Sequence, residues 1–319
     1  MTHFRPFRNG DPPALAALWN RGVPARETAR PLSAHEFDAQ VANRVHFDAA
    51  GLIVAEREGR KVGFVHAGFG PEEPIGPPHR LNRALGTIGM LVTDPGLEDE
   101  ELERGLVAEA ERYLRERGAK VFYAGGQFPL NPFYWGLYGG SEWAGILPAH
   151  AAFVRAVTRA GYEPVSETVL MEADLTGAEA RDPRSFLIRR ATRVEVVDDP
   201  TPPNWWEALA LGDFRPTVYR LLVKTEDVEL ARATTWDMSR FGRTDGRSRV
   251  GLIEMEVAGA HRRKGFGRHL VGEILRHARG EMTSVVALQT RATNVPALQL
   301  YQSLGFQRVG TSVLYRRPG

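Results

Sequence analysis

Four cationic side chains, Arg262, Arg263, Lys264 and Arg268, crowd around Gly265 and Gly267 in the stretch HRRKGFGRHL at residues 261–270. It joins RVGLIEMEVAG, whose alternation reads as a strand, to an apolar run with the period of an amphipathic helix. A turn opening a helix presents backbone N–H groups that no helical carbonyl accepts from, and aligned peptide dipoles add positive charge there. The glycines let a ligand approach the backbone, and the cations attract it from a distance. The chemistry favoured is diphosphate binding, each charge-assisted hydrogen bond contributing about 1.5–3 kcal/mol. A Walker loop does not match, and Leu270 stands where the dinucleotide fingerprint needs its third glycine. About fifty residues follow, too few for a doubly wound sheet.

The first half of the chain repeats the strand and the helix but places DPGLEDEELE between them, with Glu98, Asp99, Glu100, Glu101 and Glu103 at the turn. Acidic residues in a first helical turn suit the dipole. They oppose phosphate, since a carboxylate about 4 Å away at an effective dielectric of ~20 repels it by about 4 kcal/mol.

Around these turns the elements recur in one order: hairpin, strand, turn, long helix, strand, short helix, strand. The order predicts a tandem repeat of an α/β (α+β) fold, each copy a mixed, mostly antiparallel sheet flanked by helices. The expected domains are residues 1–178 and 186–319, with a linker near 176–186 where TGAEARDPRS has turn residues and little to bury. FLIRRATRVEVVDD reads as strand. The Gly- and aromatic-rich segment at 127–148 reads as an ordered loop insertion, its aromatics as packing or the wall of a pocket.

At 319 residues the chain has the length of about two domains, and 43% hydrophobic with 25% charged residues is ordinary for a globular protein. No window reaches the ~18 apolar residues of a membrane span, and the N-terminus lacks the apolar core of a secretory signal. A cytoplasmic protein with no membrane partner is expected. The absence of cysteine excludes disulfides, thiolate nucleophiles and Cys-ligated metal. His261, His269 and His277 lack an acidic third ligand, so no metal is expected. The formal charge of +2 is near balance, and the basic residues form one short loop without interleaved aromatics, which argues against a nucleic-acid partner.

Glu256 and Val257 through Arg262, Arg263, Lys264, Gly265, Phe266 and Gly267 resemble the pyrophosphate loop, Arg/Gln-x-x-Gly-x-Gly/Ala, of the GNAT superfamily of N-acetyltransferases. NVPALQLYQSLGF, through Asn294, Ala297, Tyr301, Gly305 and Phe306, is similar to that family's second signature. The resemblance covers roughly residues 186–319. It implies acetyl-CoA as cosubstrate, lying where the strand before the loop splays from the next strand. Met255, Glu256 and Val257 would line that gap, backbone amides of Arg262 through Arg268 would hold the pyrophosphate, and Asn294 belongs to the same binding set. An amide near Val257 would polarise the thioester carbonyl. The acceptor would be a primary amine on a small molecule or a peptide or protein N-terminus. Tyr301 is the candidate acid near the CoA sulfur. Glu254 and Glu256, alternating along one strand, are candidate bases, with Asp237 as a third.

Two other readings stay open beside the N-acetyltransferase: an acyltransferase resembling mycothiol synthase, and a catalytically silent CoA-binding or interaction protein. The acidic turn implies that the N-terminal copy lacks a cofactor site. Its expected work is to pack on the active half, close the acceptor pocket or form a homodimer, with the insertion at 127–148 as contact.

Overall fold

The computed structural model describes residues 1–26, 28–73, 79–127, 129–131, 133–142, 145–177, 185–241 and 243–318, the side chains of 185, 212 and 240 excepted. The linker expected near 176–186 lies mostly outside the described residues. The first half runs β1 (His3–Pro6), α1 (Pro12–Gly22), α2 (Ala34–Phe37), β2 (Leu52–Arg57), β3 (Arg60–Pro71), β4 (Leu81–Thr93), α3 (Glu100–Glu116), β5 (Val121–Ala124), α4 (Ala151–Arg159) and β6 (Glu163–Asp174). The second runs α5 (Ser185–Ala191), β7 (Thr192–Asp198), α6 (Trp205–Leu211), β8 (Thr217–Val223), β9 (Glu229–Asp237), β10 (Arg249–Val257), α7 (Phe266–Gly280), β11 (Val285–Arg291), α8 (Val295–Ser303) and β12 (Gln307–Pro318).

Local chemistry accounts for the elements around the two turns. α3 is capped by Asp99, whose carboxylate accepts from the Leu102 amide at 2.9 Å. Leu102, Leu106, Val107, Ala110 and Leu114 recur at helical spacing and are buried. α7 buries Leu270, Val271, Ile274, Leu275 and Ala278 in the same way. The segment expected to be strand from residue 186 instead starts as α5. Leu187, Arg189, Arg190 and Ala191 are good helix formers, and the β-branched run that favours a strand begins at Thr192.

Among the described residues all strands join one twelve-stranded sheet in the order β1-β2-β3-β4-β5-β12-β6-β11-β10-β9-β8-β7. β4–β5 and β10–β11 are parallel pairs and the other neighbours antiparallel. The centre of the sheet carries an exchange. β6, made before the second half begins, pairs over Thr168–Asp174 with β11, while the C-terminal β12 pairs with β5 of the first half. The exchanged strands pair with each other from Gln307↔Glu172 to Arg316↔Glu163.

Three cores follow from this arrangement. One lies under α3 and α4 in the first half, and one under α7 and α8 in the second. The third is shared: Trp19, Tyr134 and Tyr138 of the first half pack in one cluster with Ala210, Trp236, Phe241, Ile253 and Ala287 of the second. The segment 133–138, read from sequence as packing or pocket wall, is therefore central to the interface between the halves.

Candidate active site

β10 and β11 are laddered over four residues only, from Arg249↔Val285 to Leu252↔Leu288. Beyond Leu252, β10 runs on to Val257 paired with β9 alone, so a notch opens between β10 and β11. A β-bulge between Ile253 and Glu256 marks the divergence, with Glu254 at φ 52°. The bulge decides which side chains face which way. Leu252 belongs to the α7-side core, and unbroken alternation would carry Glu254 and Glu256 to that side. Instead Met255 and Val257 pack against that core. Glu254 and Glu256 are exposed, and the Glu254 carboxylate accepts from Thr234 Oγ1 at 2.9 Å. The alternation expected for the two glutamates is thus interrupted at Glu254.

Over Met255 and Val257 sits the start of α7. A Cβ on Gly267 would lie 3.1 Å from Val257 Cγ2 and 3.2 Å from Met255 Cε, so a side chain there would press on both and glycine lets the helix approach β10 this closely without displacing them. Gly265, the N-cap, adopts the left-handed conformation at φ 86°. The first internal bond of α7 runs from the His269 amide to the Gly265 carbonyl at 3.0 Å, leaving the Phe266 and Gly267 amides ahead of the helical pattern. Arg262, Arg263 and Lys264 are exposed around this turn, and Arg262 Nε donates to the Val257 carbonyl at 3.1 Å. Arg268 turns away from them, donating to the Ser303 carbonyl at 3.1 Å and also bonding Ser303 Oγ on α8.

On the other flank of the notch, Asn294 caps α8, its Oδ1 accepting from the Ala297 amide at 3.4 Å and its Nδ2 donating to Thr290 Oγ1 at 3.2 Å. Tyr301 is buried, edge-on to Phe306 with ring centroids 5.6 Å apart. Burial, helped by the charge of Glu142, pushes its phenol up to about 12, so it holds its proton at neutral pH. Asp237 accepts from the Ser239 amide at the far end of β9. His269 is buried beside Glu273, and His277 Nδ1 lies 3.0 Å from Tyr219 Oη. Among the described residues no group of three or more His, Cys, Asp or Glu is placed to hold a metal ion.

Glu142 was not singled out from sequence. Burial and the negative charge of Glu254 raise its carboxyl to about 7. Glu207 on α6, held by Asn204, is raised too, by burial and then by Glu254. The available signal was the Gly139-Gly140 pair closing an aromatic run, which marks a turn but not its destination.

The same frame is present in the first half with different contents. β4 and β5 are laddered from Leu85↔Val121 to Ile88↔Ala124, and β4 then continues to Thr93. At the start of α3, however, the Asp99 carboxylate already occupies the helix N-terminus. Buried Glu103 pairs with Arg155, and Glu100 with Arg159 at 2.5 Å, closing α3 onto α4 over a cavity of about 280 Å³.

Residues 190–306 match the acetyltransferase (GNAT) family. That stretch of the second half therefore carries the sequence pattern of the family. The fold covers 100% of this chain and 98% of a tandem GNAT protein from the clavulanic acid biosynthesis pathway, with a TM-score of 0.65 at 15% identity. The likeness extends to the N-alpha-acetyltransferase RimI of Mycobacterium tuberculosis, 42% identical over 80 residues, which are 25% of this chain and 48% of that protein. A mycothiol acetyltransferase of Acidothermus cellulolyticus is 47% identical over 55 residues, 17% of each chain. These matches span about half or less of the curated relatives' length. The structure thus shares the fold of a tandem GNAT protein over its full length, and its second half matches the acetyltransferase (GNAT) family in sequence. No described helix is long and apolar enough to cross a membrane.

Proposed function

We propose that this chain transfers the acetyl group of acetyl-CoA to a primary amine, using a single site in residues 186–319, while residues 1–178 form a GNAT-like domain without a cofactor loop. The observation that carries the reading is the notch that opens after Leu252↔Leu288 directly beneath the glycine-opened start of α7. The residues present suit the cosubstrate. The Phe266 and Gly267 amides, ringed by Arg262, Arg263 and Lys264, fit a diphosphate. The floor of Met255 and Val257 suits an apolar arm that adds to a strand edge. When bound, acetyl-CoA supplies an activated thioester.

Around it the side chains have separate tasks. Tyr301 retains its proton until sulfur departs and then donates it. Arg268, bonded to Ser303, ties α7 to α8 and keeps the phenol at the helix start. Asn294 fixes the α8 N-terminus, a positioning task rather than direct contact. The notch holds both reactants together, which supplies much of the acceleration.

Release of free CoA thiol from acetyl-CoA, measured against a panel of small amines, amino acids and N-terminal peptides, tests the reading. Tyr301→Phe is expected to lower kcat about 10²-fold or more with acetyl-CoA affinity nearly unchanged. Turnover at the wild-type rate would remove Tyr301 as the acid. Wild-type protein that binds acetyl-CoA but acetylates no amine would favour a silent CoA-binding protein. The mycothiol acetyltransferase match favours including the acceptor of that enzyme as a second substrate class.

A further inference from the structure

We propose that Glu142, carried by the N-terminal half, is the general base of the site in the C-terminal half. The proposal rests on the reading of this chain as an amine acetyltransferase. In the second half, β11 is joined to α8 by residues 292–294 alone, whereas the equivalent connection from β5 to α4 spans residues 125–150. That insertion crosses to the other half. Arg243 Nη2 donates to the Gly136 carbonyl at 2.8 Å, Trp236 Nε1 to the Ser141 carbonyl at 2.9 Å, and Gln289 Nε2 to the Glu142 carbonyl at 2.6 Å. Gly251 of β10 admits Ser141 because a Cβ there would lie 3.0 Å from that of Ser141.

These contacts fix where Glu142 stands. Gln289 directly follows Leu288, the last residue of β11 paired with β10, so the backbone of Glu142 is pinned at the apex of the notch. Ala287 faces the shared core while Leu288 faces α7, so Gln289, two residues beyond Ala287, lies on the face away from α7. Tyr301 belongs to the α7-side core. A base and an acid would thereby approach the thioester from opposite sides, the order required for an amine to enter on one side and a thiol to leave on the other.

Among the described residues, the charged and titratable groups that act on or respond to Glu142 are Glu254 of β10 and Tyr301 of α8; Glu207 of α6 in turn feels Glu254 and Arg232 of β9. Among the described residues no arginine or lysine pairs with the Glu142 carboxylate. A carboxylate held at a protein interface without a cation is costly, and the hydrogen bonds from Arg243, Trp236 and Gln289 that hold this stretch of the loop all run to backbone carbonyls rather than to the Glu142 side chain. That leaves the side chain for chemistry. The burial that lifts its titration to about 7 makes it a proton acceptor matched to neutral pH.

In the step itself, the Glu142 carboxylate takes one proton from the acceptor ammonium, freeing the nitrogen lone pair to bond to the thioester carbonyl carbon. The carbon–sulfur bond breaks with its electron pair on sulfur, which receives the Tyr301 proton. The Tyr301 phenolate recovers the second nitrogen proton, and Glu142 releases its own to solvent. Ammonium and thioester become amide, thiol and one proton.

Glu142→Gln preserves size and removes the base. The expected result is a fall in kcat of about 10²–10³-fold, with acetyl-CoA Kd within twofold of wild type. In wild type kcat/KM should rise with pH through an apparent pKa near 7, and this limb should vanish in the variant. Active wild type together with a Glu142→Gln variant that keeps its rate and its limb overturns the assignment, and Glu254→Gln made in parallel shows whether the base is there. Should wild type acetylate no amine, the functional reading fails separately. ¹³C NMR of glutamate-labelled protein still decides on Glu142: a carboxyl titrating near 7 that disappears in Glu142→Gln supports the assignment, and no such carboxyl overturns it.

Discussion

Tyr301 is buried and Glu142 partly so, and the loss of solvent acts on both in one direction, holding each proton longer than in water. For Glu142 this has a consequence for stability. Its folded pKa of about 7 lies above the ordinary 4.5, so the cost of burying its charge is absent at low pH, grows as pH rises between those values and is complete above them. Glutamine carries no such cost. Glu142→Gln should melt with wild type near pH 4 and about 2–4 °C above it near pH 8.5, equivalent to about 1–2 kcal/mol once partial exposure is allowed for. Equal melting at both pH values in a scanning calorimeter would show that the carboxyl is not held in a charge-averse place. The basic loop was legible from sequence because its chemistry lies on consecutive residues with a glycine signature. Glu142 was not, since Gln289 and Glu254, and the Trp236 that holds the neighbouring Ser141, are distant in sequence and only the folded chain brings them together.

Among the elements, the bulge in β10 and the start of α7 act together. The bulge turns Met255 and Val257 under the helix, and Gly267 lets the helix descend onto them. Gly267→Val would place branched methyls where a bare Cβ already stands 3.1 Å from Val257. The helix start must then lift or the strand shift, at a cost of about 1–3 kcal/mol. Acetyl-CoA affinity by titration calorimetry should fall at least about tenfold, with a lower melting temperature; unchanged affinity would mean that the cosubstrate does not lie over this contact. The order of elements could be read from periodicity and turn residues. The bulge could not, because RVGLIEMEVAG alternates well on paper and the break shows only in its register with β9. The first turn of the second half was misread for a related reason: Phe186, Leu187 and Ile188 look like strand until the helix preference of the residues after them is weighed.

For the whole molecule, the repeat of two similar units was visible in sequence, while the exchange of β6 and β12 was not. A strand's partner is chosen by long-range pairing, and its own alternation fits either sheet. The exchange makes each half complete the other's sheet, and the insertion at 125–150 lays part of the first half over the notch of the second. On the proposed reading the N-terminal copy serves as a scaffold and as the donor of Glu142, while at its own helix start Asp99 caps α3 and Glu103 pairs with Arg155. Isothermal titration of acetyl-CoA into the intact chain tests this division of labour most directly. One molecule bound per chain, with the heat abolished or greatly weakened by Gly267→Val, is the expected result; two molecules per chain, or none at millimolar concentration, would contradict it.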